Sequence, residues 1–144
     1  MSVTDILRVD PLSAEDRRLM DEYVMLGRPT DDLPYSPAFD DLAEELRRLG
    51  DIRSPSEIIN RLFNLRKMGV LPRVGYTAGR GDDVPASDAQ LAKELFRKHH
   101  DKFVSRDRLP YSPAFDTLHS AFNEFAERPL NKHQFWRLIA RVSK

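Results

Sequence analysis

Apolar side chains recur every three to four positions in six stretches of this chain, and residues that start or stop helices bound most of the stretches. Leu19, Met20, Tyr23 and Val24 share one face between Ser13 and Gly27, which predicts a helix over 14–26 opened by a Ser13/Asp16 pair of capping-box type. Phe39, Leu42, Leu46 and Leu49 follow Ser36-Pro37 and stop at Gly50, predicting a second helix over 37–49. The strongest start signal is Ser54-Pro55-Ser56-Glu57, with an N-cap serine, a proline at N1 and a glutamate at N3. Ile58, Ile59, Leu62, Phe63, Leu65 and Met68 then form a third helix, ending near Met68 at Gly69.

The same grammar returns further along. Ser87 and Gln90 are placed as a capping box ahead of Leu91, Leu95, Phe96 and Phe103. Ser112-Pro113 opens a stripe of Phe115, Leu118, Phe122 and Phe125, and Asn131 with Gln134 opens Phe135, Leu138, Ile139 and Val142. No segment alternates apolar and polar residues over a β-branched run, so the fold class is all-α, with Val70 to Tyr76 as the one stretch expected to be extended.

The two sets of stripes belong together because Leu33-Pro34-Tyr35-Ser36-Pro37-Ala38-Phe39-Asp40 recurs unchanged as Leu109-Pro110-Tyr111-Ser112-Pro113-Ala114-Phe115-Asp116. At the same offset Leu42 meets Leu118, Leu46 meets Phe122, Leu49 meets Phe125, Arg61 meets Arg137 and Leu62 meets Leu138. The expected organisation is a tandem duplication of a three-helix unit, with residues 1–70 as the first copy, 71–86 as a glycine-containing linker and 87–144 as the second copy. Local chemistry accounts for most of the octapeptide: the prolines stiffen it, Ser36 and Ser112 cap, Phe39 and Phe115 begin the core stripe, and Asp40 and Asp116 complement the positive helix end. The functional alternative places the hydroxyls of Tyr35 and Tyr111 at the surface as two equivalent contact points.

Charge modifies this picture. Lys+Arg and Asp+Glu balance at 23 each, which argues against a strongly basic polyanion binder. Residues 1–70 nevertheless hold 10 basic and 14 acidic side chains, and 71–144 hold 13 and 9. An acidic first unit and a basic second unit are suited to attract one another, within a chain or between chains. Without cysteine there is no disulfide or thiolate chemistry. MSVTDILRVDPLS carries charges and no long apolar run, so neither a secretory signal nor a membrane span is expected, and the protein is placed in the cytoplasm.

Three helices joined by short turns have the outline of helix-turn-helix architectures, in which the third helix lies in the DNA major groove. With Ile59, Leu62 and Phe63 facing inward, the outer face of the third helix carries Arg61, Asn64 and Lys67. In the second unit the corresponding face carries Lys132, Trp136, Arg137 and Arg141. Arginine forks onto guanine, asparagine onto adenine, and lysine meets phosphates, so these seven residues form the candidate nucleic-acid surface and DNA the candidate partner. Opposing this, helices one and two display Glu15, Asp16, Asp21, Glu22, Glu44 and Glu45. Arg61 and Arg137 are also placed to bridge Asp40 and Asp116, and Trp136 to pack on the other unit. The alternative is therefore a protein-interaction or self-association module. Enzymatic activity is not expected. The four histidines lack metal-ligand spacing, Gly79-Arg80-Gly81-Asp82 lacks the lysine of a phosphate loop, and no nucleophile pairs with a base, so no cofactor or metal is implied.

Overall fold

A computed structural model describes residues 12–72, 84–100 and 106–143. Among these the chain forms six α-helices and no strand: α1 (Ala14–Leu26), α2 (Pro37–Arg48), α3 (Pro55–Lys67), α4 (Ala86–His100), α5 (Pro113–Phe125) and α6 (Lys132–Val142). Two short 3-10 helices, Thr30–Asp32 and Arg106–Arg108, precede α2 and α5. The stretch 73–83 lies outside the described residues, as does Phe103, so most of the expected extended segment is not addressed.

The helix starts follow the expected capping. Ser36 and Ser112 accept from the amides of Phe39 and Phe115, with Pro37 and Pro113 at N1, where the missing amide hydrogen is not needed. Ser54 with Glu57 and Asn131 with Gln134 form reciprocal boxes. Two expectations at helix starts need correction. The Asp16 carboxylate does not return to the N-cap but reaches the turn between α2 and α3, and Ser87 lies inside α4, where its hydroxyl donates to Glu127. Gly27, Gly50 and Gly69 adopt φ of +72°, +100° and +77°, which ends α1, α2 and α3 where a side chain would be strained.

Each half of the chain folds its first helix against its second, and one apolar cluster runs through both halves, from Leu19, Phe39 and Leu46 to Phe115, Phe122 and Ile139. The octapeptides meet face to face at the seam. The amide of Tyr35 donates to the hydroxyl of Tyr111 at 2.7 Å, and the amide of Tyr111 donates in turn to the hydroxyl of Tyr35. The two rings lie 4.3 Å apart between centroids, and Tyr35 stacks on Phe115 as Tyr111 leans on Phe39. Burial raises both phenols well above the ordinary tyrosine range. These hydroxyls are therefore consumed at the seam, in line with a structural role for the octapeptide and against the functional alternative of two exposed contact points. Both tyrosines hold φ +65°, a backbone region costly for a bulky side chain and occupied only where surrounding contacts enforce it.

The stripes stop one turn earlier than their periodicity predicts. Leu49 is 41% exposed and Phe125 71% exposed, and Val24 also turns to solvent.

Candidate functional site

The seven residues expected on the third-helix surfaces do not form a free cationic face. Trp136 is fully buried, stacked on Phe63 with centroids 6.0 Å apart, and its indole donates to the Asp31 carbonyl at 2.9 Å. This corrects its expected place on an outer face and agrees with packing against the other half. Arg137 approaches the Asp32 carboxylate at 3.5 Å. Lys132 meets Asp116 at 3.3 Å and lies over the Tyr35 ring. Lys67 meets Asp107 at 2.5 Å, and Asn64 and Arg141 are exposed.

The expected bridges within each half are replaced by others. Arg61 forks onto Asp16 of α1 at 2.8 and 3.1 Å instead of Asp40, and Arg137 turns to Asp32 instead of Asp116. The substitution has a steric logic: Asp40 and Asp116 lie exposed in the first turns of α2 and α5, where Lys132 meets Asp116, whereas Asp16 is buried, 4% exposed, on α1 within reach of Arg61 of α3. Arg53 completes that cluster, forking onto Asp51 at 2.7 Å and reaching Asp16 at 2.8 Å. Burial would raise the Asp16 carboxyl, but the hydrogen bonds from Arg61 and Arg53 together outweigh it and hold it below the usual carboxylate range. The Arg53 guanidinium likewise lowers Asp51.

The third helices instead reach the 3-10 helix of the opposite half. Lys67 at the end of α3 meets Asp107, while α6 places Trp136, Arg137 and His133 against Asp31, Asp32 and the carbonyl of Pro34. Arg28 adds a second cation to the buried Asp32, and Arg66 and Arg106 both face Asp31. Burial opposes ionisation of Asp107, yet the Lys67 hydrogen bond and the neighbouring Arg106 lower its carboxyl below the ordinary range. These acidic acceptors were missed in the sequence reading, although Asp31 and Asp107 repeat at the octapeptide offset.

The sign of the pH response follows. Asp16, Asp51 and Asp107 titrate lower when folded than the roughly 3.9 of a free aspartate, so their stabilisation is present above about pH 4 and is lost as pH falls through the folded values. Thermal unfolding followed by circular dichroism should give a level midpoint from neutrality to about pH 5 and a steep fall below about pH 4, and Asp16→Asn should flatten that fall.

Among the described residues no group of three His, Cys, Asp or Glu side chains is arranged to hold a metal, and no helix is long and apolar enough to cross a membrane. What the surface does offer is apolar. Ile52 is 96% exposed, Met25 79%, and Phe125 71%. Comparison of the chain with protein families, with curated proteins and with solved structures finds no match.

Proposed function

We propose that this chain is a non-enzymatic protein-docking module made of two copies of a three-helix, helix-turn-helix-like unit, covering 1–70 and 87–144 and joined through 71–86. Duplication is supported by the repeated octapeptide and by its pairing with itself across the seam. The observation that carries the docking reading is the fate of the third-helix cations. Arg61, Lys67, Lys132 and Arg137 all face carboxylates of the same chain, and Trp136 is sealed in the core. A helix that reads DNA needs those groups for phosphates and base edges. Large apolar side chains at the turns, by contrast, face water, as at protein contact surfaces.

Two measurements separate the readings. Fluorescence anisotropy with a mixed duplex-DNA pool should show no binding at about 0.15 M salt, whereas salt-steep binding lost on Arg137→Glu with Arg141→Glu would restore the nucleic-acid reading. Immobilised protein should retain a defined protein partner, with retention lost on Ile52→Asp or Phe125→Arg and kept on Lys132→Glu. Indifference to both apolar-turn variants would defeat the docking reading.

A further inference from the structure

The turns that follow α2 and α5 occupy equivalent places at the 76-residue offset of the octapeptides. Each begins beside an exposed large apolar side chain, Leu49 at 41% after α2 and Phe125, the last residue of α5, at 71%, and Ile52 stands out further beside Leu49 at 96%. Single exposed apolar residues are ordinary, but the same exposure at matching positions of both halves is a pattern. Each turn also lies at the end of its helix away from the seam, since the tyrosine pair joins the starts of α2 and α5.

The last helical turns before the two tips differ in charge, while the turn after α5 itself holds both Glu127 and the exposed Arg128. Arg47-Arg48 precede Leu49 in the last turn of α2, and Asn123-Glu124 precede Phe125 in the last turn of α5, which carries no cation there. Arg18 of α1 adds to the positive side, its guanidinium donating to the Leu49 carbonyl at 2.6 Å. Arg48 is forked onto Glu45, but Arg47 and Glu124 are exposed and have no ionic partner among the described residues. Like turns repel when brought together, and unlike turns attract.

We propose that the second copy of this chain is the occupant of these turns. Phe125 of one molecule seats against Leu49 and Ile52 of the next, with Glu124 facing Arg47, so that copies add head to tail. This rests on the docking reading and names its partner. The contact joins different surfaces, so it is heterologous and a pair of molecules keeps one free turn of each kind at its two ends. It is small, which places it among weak, concentration-dependent associations.

The test is sedimentation velocity of the full chain from ~1 to ~300 µM at low and high salt. The wild type should rise above the 16.7 kDa monomer mass with concentration and fall back as salt screens Glu124 from Arg47. Ile52→Asp and Phe125→Arg should each weaken self-association at least about tenfold, with helicity checked by circular dichroism. Mixed one to one, the two variants should recover a species of dimer mass, because one supplies an intact Phe125 turn and the other an intact Leu49–Ile52 turn. A wild type that stays monomeric across the range overturns this proposal, as do variants that associate like the wild type or a mixture that stays monomeric. A different protein held by the wild type and lost on Ile52→Asp would leave the docking reading standing while removing the second copy as its partner.

Discussion

Trp136→Ala should destabilise the protein by about 3–5 kcal/mol, the range for removing a large aromatic from a packed core. Three losses combine. The indole is fully buried, so a large apolar area returns to water and a cavity opens. Its stack on Phe63 of α3 disappears, and the Asp31 carbonyl loses its donor. Trp136→Phe keeps most of the packing and should cost less, near the ~1–3 kcal/mol of a buried polar group left unpaired. Asn64→Ala, at an exposed position of α3, should stay within about 0.5 kcal/mol. Urea unfolding followed by tryptophan-independent far-ultraviolet dichroism measures all three. A Trp136→Ala value as small as that of Asn64→Ala would place the indole at the surface, where a base-stacking role again becomes open. A large value makes α6 a structural strut whose inner face is spent on the first half of the chain.

The helices were legible because their determinants are local. A cap serine, an N1 proline and a stopping glycine act within one turn, so Ser36-Pro37, Ser54-Pro55 and Gly50 mark boundaries without knowledge of the rest of the chain. Ser87 shows the limit of that rule: its hydroxyl is claimed by Glu127, 40 positions away, and the helix starts a residue earlier. Which face is buried is a tertiary matter. Phe135, Leu138 and Ile139 define an inner face of α6 that leaves Trp136 outside, and only the opposite half's Thr30–Asp32 helix gives that ring a second core to enter. Leu49 and Phe125 err in the other direction, since their periodicity continues past the point where the packing partner ends. Net charge was legible, but its use was not. Arg61 chose the buried Asp16 over the exposed Asp40, a preference decided by the packing of α1 on the other helices. The repeat was plain in the letters. That the two octapeptides themselves grip each other was not, because a tyrosine carries no local signal for a left-handed backbone.

That backbone gives the seam a signature opposite to the usual one. Tyr35→Ala or Tyr111→Ala should each destabilise the fold by about 2–4 kcal/mol, since each removes a half-buried, stacked ring and leaves the other tyrosine's amide without its acceptor. At an ordinary position, replacing that alanine with glycine would cost up to about 1 kcal/mol more through chain entropy. At φ +65° the order should invert, with Tyr35→Gly more stable than Tyr35→Ala by about 1 kcal/mol, because glycine alone escapes the left-handed penalty of about 1–2 kcal/mol. Phenylalanine isolates the hydrogen bonds. Tyr35→Phe and Tyr111→Phe each retain the stacked ring and orphan one amide, at about 1–3 kcal/mol apiece. The two hydrogen bonds join the same two residues reciprocally, so the double variant should depart from the sum of the singles by more than the ~0.5 kcal/mol seen for independent sites. Denaturant unfolding of the five single variants and the double phenylalanine variant reads every term. Additive losses with alanine above glycine would mean that the two tyrosines stand apart at the surface, and the shared seam between the halves would have to be abandoned.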